Sequence, residues 1–192
     1  RDLLCGKTGK QIGEQPGLYA GALAQLARGQ GWVYKPADKL HRSTQDVLLE
    51  DELRAALIRL NPEIAEQPDR ADEVLYRLRA VLLSVKSDGL VRANEEFTIW
   101  LRGERSMPFG PNHEHTSVRL IDFENIGSNH CVLTNQVIFQ AGSQTRRFDL
   151  VLFINGIPLV IGEAKTPTRP AISWVDGAVQ VQDDYEVNVP AF

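Results

Sequence analysis

Three charged residues stand in the most apolar stretch of the chain. The run FDLVLFINGIPLVIGEAK, residues 148–165, carries Asp149, Glu163 and Lys165 in two segments that are otherwise almost wholly apolar. Strands apolar on both faces belong at the centre of a covered sheet, where a charge is costly unless it is paired or holds a metal. Alternation along a strand sends Glu163 and Lys165 to the same face. Two carboxylates brought together form a hard-oxygen site suited to Mg²⁺, which keeps several of its waters. A lysine beside them can hold an attacking water and stabilise negative charge as it develops. Such a metal acidifies its bound water and neutralises a phosphodiester, the requirements for hydrolysing a DNA backbone. The plainer reading is a buried ion pair of Lys165 with Glu163 or Asp149 at a strand end. The added Asp, the hairpin spacing and the apolar setting favour a site.

That chemistry depends on register. Asn155-Gly156 is a hairpin-turn signal. With a loop of those two residues alone, Asp149 falls opposite Gly162 and faces away from Glu163. A three-residue loop, Asn155 to Ile157, pairs Asp149 with Glu163 instead. A metal site therefore requires an odd-length loop or a bulge in this hairpin.

The elements that must position these residues follow from periodicity. Tyr19, Ala22, Leu23 and Leu26 have helical spacing over residues 18–28, stopped by Gly29 and Gly31. Stronger helices are expected over 46–60 (Leu49, Leu53, Ala56, Leu57, Leu60) and 70–85 (Val74, Leu75, Leu78, Val81, Leu82), with Pro62 and Pro68 marking the break between them. After Asp88-Gly89 the pattern turns strand-like, over 97–101, 117–123, 132–139, 148–154 and 159–165. A last helix is expected from Ser173, with Asp176 three residues on, to Asn188 before Pro190. Helices, then strands, then a helix give an α/β or α+β domain around one mixed sheet.

Composition bounds the rest. The chain has 192 residues, 43% hydrophobic and 24% charged, which fits one ordinary globular domain and excludes a disordered or collagen-like chain. The longest apolar stretch is broken by Asn155, Gly156 and Pro158, so no bilayer span is expected. Two cysteines, Cys5 and Cys131, cannot staple a secreted framework, and with no signal peptide the expected compartment is the cytoplasm. The net charge of −4 means that DNA would be held by a local patch and only poorly by this piece alone. Arg1 in place of an initiator Met, and the apolar end at Phe192, read as a piece of a longer polypeptide.

Two other motifs carry less. Gly6-Lys7-Thr8 lacks the earlier Gly, separated from it by four residues, and the strand before that Gly, which a phosphate-binding loop needs, since Arg1 occupies that place. His113 and His115 have no spaced second pair of ligands for zinc among Cys5, Cys131, His41 and His130. Arg102, Arg105, Arg146, Arg147 and Arg169 are the basic residues nearest the site strands. They are either DNA-phosphate contacts or ordinary strand-end charges.

Asp149 followed by Glu163-Ala164-Lys165 resembles the PD-(D/E)xK nuclease signature. The wider text is more specific. Residues 118–123, Thr134-Asn135-Gln136, Arg147-Phe148-Asp149, residues 155–160, Glu163-Ala164-Lys165 and residues 183–190 resemble the N-terminal region of the restriction (R) subunit of type I restriction–modification enzymes. The resemblance covers residues 117–192 well and 1–116 loosely. It implies a PD-(D/E)xK-like α/β fold, with a mixed central sheet flanked by helices, a helical insertion over 37–88 and a catalytic core over 89–192. It implies an endonuclease domain at the start of a subunit whose later part is an ATP-driven motor on double-stranded DNA, working with methylation and specificity subunits. Carried over by position, Asp149 and Glu163 would hold Mg²⁺ and Lys165 would be the catalytic lysine.

The resembling family also has a Gln followed after three residues by Tyr. Here Tyr185 is present but position 181 is Val, with Gln180 and Gln182 on either side. On an α-helix Gln182 neighbours Tyr185, whereas Gln180 lies well round the barrel. The fold often places a further acid on its first helix, and Glu14 is the nearest candidate here. Two other readings share these residues: a repair or resolvase-type nuclease without a motor, and a non-catalytic nuclease-like module that docks subunits.

Overall fold

The computed structural model describes residues 16–163 and 174–189. Lys165, Arg169, Glu14 and Cys5 lie outside them, as does the Gly6-Lys7-Thr8 segment. In chain order come α1 (Pro16–Gly29), β1 (Val33–Tyr34), α2 (Glu50–Leu60), α3 (Pro62–Glu66), α4 (Arg70–Asp88) and α5 (Leu90–Leu101). A short ribbon of β2 (Ser106–Met107) and β3 (Thr116–Ser117) follows, then β4 (Cys131–Ala141), β5 (Gln144–Ile154) and β6 (Ile157–Gly162). The last element is α6 (Trp174–Val179), continued by a π-helical turn (Gln180–Tyr185) and α7 (Glu186–Asn188).

The central sheet has the order β1-β4-β5-β6. β1 runs parallel to β4, and the other neighbours are antiparallel. This is the mixed α/β arrangement expected. The principal core joins one face of the sheet (Val132, Val137, Phe139, Phe148, Val151, Phe153) to the stripe of α2 (Leu53, Leu57) and of α4 (Val74, Leu75, Leu78). On α1 the buried stripe is Leu23 and Ala27, which meet Leu133 and the partly buried Leu150 and Leu152 of the sheet in a second, smaller cluster. Leu26 is 53% exposed, so the stripe is rotated from the 19-22-23-26 set. Among the described residues no helix is long and apolar enough to cross a membrane.

Two expected strands are absent. Residues 97–101 are the last turns of α5, not a strand. Their β-branched and aromatic types favour extended structure, but Leu90, Ala93, Phe97 and Trp100 form a helical stripe over the longer window, and Ala93 and Trp100 are buried by it. Residues 117–123 pair only at Thr116–Ser117 and then run irregularly. Their backbone is satisfied by asparagine side chains: Asn61 bonds both N–H and C=O of Arg119, Asn155 donates to the Leu120 carbonyl, and Asn129 accepts from Asp122 N–H. The helix expected over 46–60 begins at Glu50, because residues 47–49 are buried and Leu49 N–H donates to the Gly156 carbonyl at 2.8 Å. Glu50, Asp51 and Glu52 then fill its first turn, where the helix dipole favours acids.

The hairpin turn itself is tightly seated. Asn155 and Gly156 have φ of 51° and 82°, the left-handed pair of a two-residue primed turn. Asn155 is fully buried. Its Oδ1 accepts from Arg59 Nη2 (3.0 Å) and His130 N–H (2.8 Å), and its Nδ2 donates to Asn129 as well as to Leu120. A Cβ at Gly156 would stand 2.4 Å from the Leu49 carbonyl oxygen, so only glycine lets α2 approach this closely.

Candidate active site

The loop between β5 and β6 is the two-residue one, Ile154 pairing with Ile157 across Asn155-Gly156. Left alone it would put Asp149 opposite Gly162. The register then shifts: Phe153 pairs with Pro158 but Leu152 with Val160, leaving Leu159 as the extra residue of a β-bulge. Beyond it Val151 pairs with Ile161 and Leu150 with Gly162. Carried one step further, that register sets Asp149 across from Glu163, on the same face. Of the two devices that could align the carboxylates, the bulge is the one used.

Glu163 is met from the C-terminal helical segment. Tyr185 Oη donates to Glu163 Oε2 at 3.0 Å and lies 3.4 Å from the Arg147 carbonyl oxygen. The Tyr185 ring is buried edge-on against Phe148, with centroids 4.8 Å apart and an interplanar angle of 82°. Burial foremost, then the bond to Glu163 and its negative charge, push the Tyr185 phenol up to about 12, so it stays a donor at neutral pH.

Gln180 Nε2 in turn donates to Tyr185 Oη at 2.7 Å. This corrects the pairing expected from α-helical geometry, in which Gln182 is the neighbour. Residues 180–185 form a π-turn, where i and i+5 are stacked, so Gln180 comes round to Tyr185 and Gln182 faces solvent. The segment is held to β5 by Arg146, whose Nε and Nη2 reach Asp184 Oδ1 at 2.9 and 2.7 Å, and Asn188 donates to the same oxygen.

On the other strand, Gln136 Nε2 donates to Asp149 Oδ1 at 3.0 Å. Sequence reasoning passed over Gln136 as a site residue, although the polar pair Asn135-Gln136 interrupting an otherwise apolar strand is a visible signal. Asn135 Oδ1 accepts from Tyr34 Oη of β1 at 2.8 Å. A second cluster that the sequence did not announce joins Glu52 to Lys35 Nζ (2.5 Å) and His130 Nδ1 (2.7 Å), away from the carboxylate pair near the hairpin turn.

The basic residues sort themselves by partner. Arg146 is ion-paired with Asp184, Arg105 with Glu96, and Arg102 lies 3.9 Å from Glu104. Arg147, on β5 two residues before Asp149, is exposed. His113 and His115 are exposed as well, and among the described residues no group of three or more His, Cys, Asp and Glu is gathered for a metal. The carboxylate pair still fits Mg²⁺. Its donors are hard oxygens, and this ion is commonly held by one or two carboxylates with water filling the other positions.

Residues 20–190 match the family described as the N terminus of the type I restriction enzyme R protein. The chain is 32% identical over 158 residues to the HindI endonuclease subunit of a type I restriction enzyme from Haemophilus influenzae. It is 29% identical over 157 residues to a putative type I restriction enzyme MjaIXP endonuclease subunit from Methanocaldococcus jannaschii. Each alignment takes in 76% of this chain and 14% of the relative, so the chain spans about one seventh of the length of these proteins. A putative MjaVIIP endonuclease subunit from the same archaeon is 38% identical over 69 residues, which is 36% of this chain and 6% of the relative. No solved structure matches.

Proposed function

Because the chain belongs to the family of type I restriction enzyme R protein N termini, we propose that it is the endonuclease domain of such a subunit, with a PD-(D/E)xK-type site that hydrolyses DNA phosphodiester bonds. The observation that supports this reading is the bulge at Leu159, which brings Asp149 opposite Glu163 in a sheet whose turn alone would part them. An ion pair at a strand end would need no such alignment, nor a tyrosine and a glutamine each bonded to one of the two carboxylates.

In this reading Asp149 and Glu163 hold Mg²⁺, which supplies an acidified water and neutralises charge on the phosphodiester. Tyr185 fixes the Glu163 carboxylate by donating to Oε2, and Gln180 fixes the Tyr185 hydroxyl, so the pair is oriented before substrate arrives. Lys165 follows Glu163 by two residues, and its ammonium is assigned the attacking water and the developing negative charge. Arg147 is the exposed cation beside Asp149 suited to a DNA phosphate. Arg146 contributes by docking the Tyr185 segment to β5.

The rest of the subunit is read as the ATP-driven motor on double-stranded DNA, in a cytoplasmic complex with methylation and specificity subunits. The full complex carries the test, with unmethylated plasmid bearing the cognate site, ATP and Mg²⁺. Asp149→Ala, Glu163→Ala and Lys165→Ala are expected to abolish cutting while ATP hydrolysis continues. Cutting that survives all three substitutions would make the charges structural and the domain an assembly module.

A further inference from the structure

Gln136 has φ of 57°, the left-handed conformation, in the interior of an 11-residue strand. For a residue with a Cβ that conformation costs about 1–2 kcal/mol, and a glycine would adopt it freely. The register across from β5 does not slip there: Asn135 pairs with Leu150 and Val137 with Phe148, so Gln136 stands opposite Asp149.

What changes is the pleat. Along β4 the principal core takes Val132, then Val137 and Phe139; along β5 it takes Phe148, then Val151 and Phe153. An odd step in each strand means that the alternation of faces skips once in both, at the pair Gln136–Asp149. On the far side of the skip Leu150 joins Leu133 and Leu152 in the second cluster, away from the principal core that takes Phe148. An unbroken β4 could not match this change of face. The left-handed residue is the local cause, and its side chain ends on Asp149 Oδ1 at 3.0 Å.

We infer that Gln136 is a positioning residue of the site: its left-handed backbone turns the side-chain amide onto Asp149 and holds that carboxylate in the orientation that binds the metal. The inference rests on the proposed nuclease reading. It also accounts for a costly backbone state carried by glutamine where glycine or asparagine would be less strained. Groups that orient a metal-ligating side chain typically govern affinity by about 10- to 100-fold.

Gln136→Gly and Gln136→Asn separate the two roles. Both suit a left-handed backbone; glycine has no amide, and the asparagine amide is one methylene too short to reach Asp149. The complete subunit, free of nucleotide, is titrated with Mn²⁺ by paramagnetic resonance, and the binding lost in Asp149→Asn defines the site. Expected is Mn²⁺ affinity at that site weaker by about 10-fold or more in both variants. The same shift is expected in the Mg²⁺ concentration for half-maximal cleavage, with the rate recovering at saturating metal. The thermal midpoint of Gln136→Gly should equal or exceed wild type.

Affinity within twofold of wild type in both variants, with Asp149→Asn deficient, overturns the role of Gln136 and leaves the nuclease reading intact. Wild-type Mn²⁺ binding and cleavage by Asp149→Asn overturns the nuclease reading itself. A fall in thermal midpoint with unaltered metal affinity assigns Gln136 to the strand alone.

Discussion

The hairpin that aligns the two carboxylates is anchored at Gly156, and two glycines of like conformation isolate what that anchor is worth. Gly156 has φ of 82° and Gly142, in the turn from β4 to β5, has φ of 62°. Alanine at either position meets the left-handed penalty, about 1–2 kcal/mol. Around Gly142 nothing lies within 4 Å of the added Cβ, so that penalty is the whole cost. At Gly156 the Cβ would stand 2.4 Å from the Leu49 carbonyl oxygen and 2.8 Å from Leu53 N, both backbone atoms of the α2 entry that cannot swing aside. Retreat of α2 also stretches the bond from Leu49 N–H to the Gly156 carbonyl, 2.8 Å in length. Strain, overpacking and the lost bond together bring Gly156→Ala to about 4 kcal/mol.

Amide exchange along β5, which both turns bound, reads the difference in the complete subunit without requiring two-state unfolding. At about 1.4 kcal/mol per tenfold, Gly142→Ala should speed β5 exchange by about 10-fold and Gly156→Ala by about 1000-fold. Cleavage should fall with Gly156→Ala while ATP hydrolysis is retained. Equal acceleration in the two variants would refute the reasoning, since it would mean that α2 does not press on the turn.

Tyr185→Phe keeps the ring against Phe148 and removes only the donor to Glu163, so cleavage should drop by about 10-fold or more with the thermal midpoint little changed. Deleting Gln182 returns the π-turn to α-helical spacing while leaving Gln180 on the face of Tyr185. Cleavage in the deletion should stay near wild type, whereas Gln180→Ala should lower it and Gln182→Ala should leave it alone, as activity assays on the three variants would show. The Arg146 guanidinium beside Asp184 holds that carboxyl below its ordinary 3.8, so the pair stabilises the folded domain above that value and the contribution is lost as pH falls through the lowered one. Arg146→Met should therefore loosen residues 180–189 by well under 1 kcal/mol at neutral pH, the pair being part-exposed, and by less at pH 3. Amide exchange of that segment at the two pH values is the check.

By itself the sequence determined what depends on types and local spacing. The apolar strands with their charged intruders, the Asn155-Gly156 turn, the stripes of α2 and α4, and the candidacy of Asp149, Glu163 and Tyr185 are all legible there. So is the condition that only a bulge or an odd loop brings the carboxylates together. Which device does so belongs to the sheet, because a bulge at Leu159 is a settlement between Pro158, the packing of both faces and the neighbouring strand, none of which is local. The segment 117–123 looks like a strand because its apolar alternation is real. Asn61, Asn129 and Asn155, distant in sequence, take the backbone groups that a partner strand would have taken. Residues 97–101 look extended because short-range propensity is weak against the burial of a longer helical stripe. Gln182 looks like the partner of Tyr185 on an α-helix, but one π-turn rotates everything before it relative to Tyr185 and brings Gln180 there instead. Gln136 needed the tertiary structure most, since a left-handed residue inside a strand costs energy locally and is held only by the pairing on both sides of it.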